Sequence, residues 1–207
     1  MAQFAIVVIG ASLGGVEALQ ELASKLTPAI PAAFLVVQHI GHRPSCLPEL
    51  LSRKGPLPAD HAQNTQLIRP GRIYVAPPDH HLTVVDGAMM LNRGPRENWA
   101  RPAIDPLFRS AALAKGRRVI GVILTGSLND GTAGLKEVRA RGGMAVVQHP
   151  SDAYCPMMPA SALRHAGADF CVPLREIPGV LHELAVRLTE TDNNLAANRA
   201  MLRSEKL

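Results

Sequence analysis

A serine, a histidine and an aspartate stand at three distant points of this chain, each just after a short apolar run. Ser12 follows Ile6-Val7-Val8-Ile9 inside Gly10-Ala11-Ser12-Leu13-Gly14-Gly15. His39 follows Leu35-Val36-Val37-Gln38, and Asp130 closes Thr125-Gly126-Ser127-Leu128-Asn129-Asp130 after the run 119–124. Together the three types supply the parts of a hydrolytic triad. A hydroxyl attacks a carbonyl, an imidazole takes its proton and returns it to the leaving group, and a carboxylate orients the ring. Glycines on both sides of Ser12 allow a sharp strand-to-helix turn and keep side chains off the hydroxyl, as in a nucleophile elbow.

Other chemistries fit these residues less well. A glycine at position 12 would complete the dinucleotide fingerprint with Gly10 and Gly15, but the serine denies a pyrophosphate its close approach to the backbone. The second apolar run ends in Gln38-His39 rather than in an acidic residue for a ribose. Ser12 read alone is a helix cap, and Asp130 in Asn-Asp-Gly is a turn residue. His39-x-x-His42 and Asp79-His80-His81 offer metal ligands without a zinc spacing, so neither a metal nor any other cofactor is expected. The order Ser, His, Asp also differs from the Ser, Asp, His of α/β-hydrolases, which points to another scaffold.

The elements that must position these residues follow from apolar periodicity. Short buried runs at 4–9, 34–38, 73–76, 119–124, 144–147 and 170–172 read as strands. Helical patterns at 16–26, 47–53, 104–115, 133–141, 160–165 and 177–188 lie between or after them. Such alternation predicts an α/β fold: a doubly wound, mostly parallel sheet with helices on both faces. Asp86-Gly87 between two apolar runs in 81–91 predicts an inserted antiparallel hairpin. In an open parallel sheet chemistry gathers beyond the carboxyl ends of the strands, where Ser12, His39 and Asp130 would all arrive. Residues 1–190 read as one domain, and 191–207 as a polar tail or frayed helix.

Composition narrows the function classes. Of the 207 residues 47% are apolar and 19% charged, which suits a globular core and excludes a disordered chain. Aromatics are only 3%, so base-stacking surfaces for nucleic acid are not expected. The net charge of +5 is scattered rather than massed, which points to a solvated surface with one positive face. Three widely spaced cysteines, no leader pattern and no apolar run near the ~20 residues of a membrane span point to a reduced, cytoplasmic protein that does not insert into membrane.

Five segments then carry a resemblance. They are Ile9-Gly10-Ala11-Ser12-Leu13-Gly14-Gly15, Val37-Gln38-His39-Ile40, Arg101-Pro102-Ala103-Ile104-Asp105-Pro106-Leu107-Phe108, Val122-Ile123-Leu124-Thr125-Gly126-Ser127-Leu128-Asn129-Asp130-Gly131 and Met158-Pro159-x-x-Ala162. In this order they resemble the catalytic domain of the chemotaxis-specific protein-glutamate methylesterases, the CheB family. The resemblance implies hydrolysis of glutamate γ-methyl esters on the cytoplasmic helices of methylated chemoreceptors, releasing glutamate and methanol, with glutamine deamidation in related members. It casts Ser12 as nucleophile, His39 as general base and acid, and Asp130 as the residue that orients His39. Backbone amides near Leu13 and Ser127 become the oxyanion donors. Arg101 either meets an acidic receptor surface or anchors its proline-rich loop.

The pattern also departs from the family. Leu13 replaces a threonine, Ser127 a methionine, Leu128 a glycine, and Met157 a glycine. These changes leave open a catalytically weak or inactive module that binds receptor or signalling partners. The first strand begins within a few residues of Met1, so no receiver domain and no control by phosphorylation are expected within this chain.

Overall fold

The structure, a computed structural model, describes residues 4–204, with side chains described up to residue 191. The chain alternates β1 (Ala5–Ala11), α1 (Gly15–Lys25), β2 (Ala32–Gln38), α2 (Leu47–Lys54), β3 (Ala59–His61) and β4 (Ile73–Val75). A hairpin of β5 (His81–Val85) and β6 (Ala88–Asn92) follows, and then α3 (Ile104–Lys115). The second half runs β7 (Val119–Ile123), α4 (Thr132–Ala140), β8 (Met144–Gln148), α5 (Met157–His165), β9 (Phe170–Val172) and α6 (Ile177–Ser204).

Seven strands form one parallel sheet in the order β3-β4-β2-β1-β7-β8-β9. Every residue of β1, β2 and β7 is buried, as expected of parallel strands covered on both faces. Alternate side chains enter opposite cores. Val7 and Ile9 pack with Leu19 and Leu22 of α1, Leu51 of α2 and Leu181 of α6. Ile6 and Val8 pack with Leu107 and Phe108 of α3, Leu135 of α4 and Met158 of α5. The expected doubly wound sheet with helices on both faces is present.

The hairpin is a separate two-stranded sheet lying on α3, with Leu82, Val84 and Met89 buried beneath it. Its turn residues Asp86 and Gly87 have φ of 49° and 84°, the left-handed pair that a two-residue hairpin needs. Ser110 of α3 fastens it by accepting the Val84 N–H at 3.0 Å.

Three elements differ most from the periodicity. Strand β3 was not expected, because Ala59-Asp60-His61 carries no apolar run; it forms by pairing along the edge of β4. Helix α5 starts a turn earlier than expected, since Pro159 falls at its third residue, where no intrahelical N–H is needed. The helix expected over 177–188 continues as α6 to Ser204, and the end of the expected tail, 205–207, lies outside the described residues.

The winding direction reverses at β1. From there the chain passes to β2, out to β3 at the edge and back in to β4, then crosses to β7, β8 and β9 on the other side. Ser12 and His39 come just beyond the carboxyl ends of β1 and β2, beside this reversal, the usual place for a ligand in such sheets.

Candidate active site

Ser12 leaves β1 at this reversal. Its N–H donates to the Thr125 carbonyl at 3.0 Å, and its own carbonyl accepts the Gly15 N–H at 2.8 Å. Gln38, the last residue of β2, donates Nε2–H to the same carbonyl at 2.8 Å, so the turn is braced from the neighbouring strand. Gly14 completes the turn with φ of 76°, and a Cβ there would lie 2.7 Å from Cβ of Tyr154. The Ser12 hydroxyl does not cap α1; it meets the His39 ring.

His39 Nδ1 lies 3.1 Å from Ser12 Oγ, and His39 Nε2 lies 2.8 Å from Asp130 Oδ2. An ionised carboxylate only accepts, so Nε2 carries the proton and donates to Asp130, while Nδ1 accepts from the serine hydroxyl. The ring is used in the opposite sense to that of the digestive serine proteases, where Nε2 faces the serine. Such a chain can pass the serine proton to the ring while the carboxylate stabilises the imidazolium.

Asp130 is held from five sides. Oδ2 accepts from His39 and from the Ile104 N–H at 2.7 Å. Oδ1 accepts from the N–H of Asp105 at 3.1 Å, the N–H of Gly131 at 2.8 Å and Asn98 Nδ2 at 2.7 Å. Ile104 and Asp105 open α3, so Asp130 caps that helix from another loop, at the positive end of its dipole. Burial opposes ionisation of Asp130, but the hydrogen bonds from His39 and the α3 amides outweigh it and hold the carboxyl below the usual range.

A second buried carboxylate stands beside the first. Asp105 accepts the Gly134 N–H of α4 at 2.6 Å and Asn98 Nδ2 at 2.9 Å. Burial, aided by the charge of Asp130, pushes the Asp105 carboxyl up. Asn98 thus bridges the two carboxylates from a loop where it and Trp99 both have positive φ, 48° and 63°. Ile104 fills the space between strand and loop. Its Cγ2 lies 2.5 Å from where a Cβ on Gly10 would sit and 2.8 Å from where one on Gly131 would sit.

The two expected amide donors sit on the turns beside Ser12. The N–H groups of Leu13 and Ser127 donate to no group among the described residues. Thr125 Oγ1 donates to the Leu13 carbonyl at 2.9 Å and accepts the Cys155 N–H at 2.8 Å, which pins the backbone on either side. Gly126 passes so close that a Cβ on it would lie 2.9 Å from Cβ of Ser12. Exposed apolar side chains, among them Leu13, Leu128 and Tyr154 of loops and Met157 at the start of α5, come from this end of the sheet.

Arg101 is bound to its own loop and to Asp79. Its Nε and Nη2 donate to Asp79 Oδ1 at 2.9 and 2.7 Å, and Nη1 donates to the Gly94 carbonyl at 2.8 Å. Of the two expectations for Arg101, these bonds describe the loop anchor, and the guanidinium beside Asp79 holds that carboxyl below its ordinary value. Among the described residues no group of three or more His, Cys, Asp or Glu is placed to hold a metal ion.

Set beside known proteins, residues 7–181 match the family described as CheB methylesterase. The chain belongs to the CheB methylesterase family. A putative protein-glutamate methylesterase/protein-glutamine glutaminase of Leptospira interrogans is 37% identical over 191 residues, covering 91% of this chain and 96% of that protein. One of Anaeromyxobacter dehalogenans is 42% identical over 166 residues, which are 78% of this chain and 48% of that protein. The chain therefore spans nearly all of one curated CheB relative and about half the length of others. The crystal structure of the Thermotoga maritima CheB methylesterase catalytic domain superposes with a TM-score of 0.84 at 32% identity, covering 88% of this chain and all of that one.

Gln38, Ile104 and Asp105 of this CheB site lie inside the matched segments, but what each does shows only in contacts between elements; Asn98 lies outside those segments and carries no signal in sequence.

Proposed function

We propose that the protein is a serine hydrolase that removes methyl groups from glutamate γ-methyl esters of methylated chemoreceptors. Ser12 attacks the ester carbonyl while His39 Nδ1 takes its proton. The tetrahedral oxyanion is received by the N–H groups of Leu13 and Ser127, and methanol leaves with the proton from His39. Water, deprotonated by His39, then attacks the acyl-serine and frees a glutamate carboxylate and Ser12. Asp130 stays ionised throughout and holds the ring in the Nε2–H tautomer. The same steps on a glutamine amide would release ammonia, in keeping with the glutaminase activity in the names of the relatives.

The hydrogen-bonded chain Ser12–His39–Asp130, at 3.1 and 2.8 Å, carries this reading. Leu13 counts less against it than its side chain suggests. The expected donor is a backbone N–H, and the half-exposed leucine points into solvent.

Methanol release from methylated receptor is the test. Ser12→Ala should lower it on the order of 10⁴-fold or more with an unchanged melting temperature. Methanol release by that variant at a near-wild-type rate would remove Ser12 from the chemistry. An active wild-type protein whose Ser12 reacts with a covalent serine probe excludes the inactive binding module.

A further inference from the structure

Helix α5 turns one face outward beside this site. Met157, Ala160, Ser161, Arg164 and His165 recur at i, i+3, i+4, i+7 and i+8, the spacing of a single helical face. They form one wall of an open groove whose other wall is Leu128 and Asn129. Its near end is tied to Ser12 through Met158, the buried neighbour of Met157, and Gly126. A Cβ on Gly126 would lie 2.7 Å from the sulfur of Met158 and 2.9 Å from Cβ of Ser12. From Met157 the helix rises ~12 Å to His165.

The chemistry of the groove changes along its length. Its start is apolar, with Met157 and Leu128 both more than half exposed. Leu128 has φ of 64°, a left-handed backbone that a bulky side chain rarely adopts, and this conformation leaves the side chain in the open. Its far end is basic. Arg164 and His165 are exposed and make no ion pair or side-chain hydrogen bond among the described residues, and no carboxylate lines the groove.

We propose that this groove seats an acidic segment of the substrate polypeptide, the stretch of chain running on from the esterified residue. Apolar side chains of that segment rest on Leu128 and Met157, and its carboxylates meet Arg164 and His165. The inference rests on the methylesterase reading, which makes the substrate a glutamate-bearing protein chain. Charge complementarity selects the occupant: the Arg164 guanidinium, an imidazole that can donate a hydrogen bond and no acid favour carboxylates over a basic segment. Basic residues in a last turn also complement the helix dipole, but that role alone affects only stability and not the choice of substrate.

Two synthetic peptides test this. Both carry one glutamate γ-methyl ester, and the flanking seven residues on each side hold either several glutamates or glutamines in their place. The readout is the ratio of kcat/KM for methanol release, glutamate peptide over glutamine peptide, in which any general loss of activity cancels. At low salt the wild-type ratio should be roughly three- to tenfold, the worth of one or two partly exposed charge pairs. In Arg164→Glu the ratio should fall to one or below, with Arg164→Gln in between. A wild-type ratio of one, or the same ratio in wild type and both variants, overturns the proposal. If wild type hydrolyses neither peptide nor methylated receptor, the methylesterase reading fails. Binding of the ester-free glutamate peptide to Ser12→Ala then reads the groove alone: a loss of threefold or more with Arg164→Glu supports it, and unchanged binding overturns it.

Discussion

Asp130→Asn should damage stability and activity together, and the five hydrogen bonds to the carboxylate say by how much. An amide at position 130 retains one acceptor oxygen. Placed at Oδ1 it still serves Asn98, Asp105 and Gly131, which is the better choice because three donors converge there. The new NH2 group then faces the Ile104 N–H at 2.7 Å, donor against donor, and that amide loses its partner. A buried donor left unsatisfied costs about 1–3 kcal/mol, and the three surviving bonds weaken on losing the charge. A total of about 2–4 kcal/mol follows, or roughly 5–15 °C in melting temperature for a domain of this size. At His39 the NH2 donates to Nε2 and drives the proton to Nδ1, which faces Ser12 and can no longer accept. Ester hydrolysis should fall on the order of 10⁴-fold, as expected for a ring held in the wrong tautomer. Thermal melts and methanol release, read beside His39→Gln, make the comparison, since His39→Gln breaks only one of the five bonds and should melt within a few degrees of wild type. Asp130→Asn melting within 2 °C of wild type, or keeping a tenth of its activity, would refute the reasoning.

Three further outcomes follow from the same contacts. Asn98→Ala removes the donor shared by Asp105 and Asp130, and should cost about 1–2 kcal/mol in denaturant melts; a melt unchanged from wild type would deny the bridge. Gly10→Ala places a methyl group 2.5 Å from Ile104 Cγ2, and should destabilise by about 1–3 kcal/mol; the double variant with Ile104→Ala should lose less than the sum of the singles, and strict additivity would place the strain elsewhere. Acid should unfold the protein through Asp130 and through Asp152, which accepts from Gln148 Nε2 and the Leu174 N–H at 2.8 Å each; both carboxyls lie below their ordinary value because hydrogen bonds to the ionised forms outweigh burial. Their stabilisation is present above about pH 4 and is lost as pH falls through the depressed values. Asp105, raised by burial, works the other way and stabilises most at low pH. Melting temperature should therefore drop below about pH 4, less steeply in Asp130→Asn, and an equal slope in that variant would take Asp130 out of the acid transition.

The sheet was legible because its central strands are continuous apolar runs, and burial on both faces demands them. The Asp86-Gly87 turn was legible because few residue pairs accept two positive φ angles in succession. Strand β3 was not, since Ala59-Asp60-His61 owes its extended form to a neighbour rather than to its own pattern. In the site, Ser12 and His39 stand out because they directly follow strands, and Asp130 because it lies at the end of the loop between β7 and α4. Asp105 reads in sequence as an ordinary acid in the first turn of a helix, and its bond to α4 exists only once α3 and α4 are packed. Asn98 is one polar loop residue among many until the fold brings two carboxylates to it. Arg101 was open between loop and substrate because a guanidinium serves either, and the loop bonds to Asp79 and the Gly94 carbonyl appear only in the fold.

Ile104 has no chemistry, yet it works as a spacer gauge between the serine strand and the aspartate loop. Its side chain occupies the room that Gly10 and Gly131 leave, while its N–H rests on the carboxylate of Asp130. The gap that His39 bridges is therefore set by the width of one aliphatic side chain. A protein of this design can drift widely over its surface and still keep its proton path in tune, but a single methylene gained or lost at position 104 would detune it without touching any group that reacts.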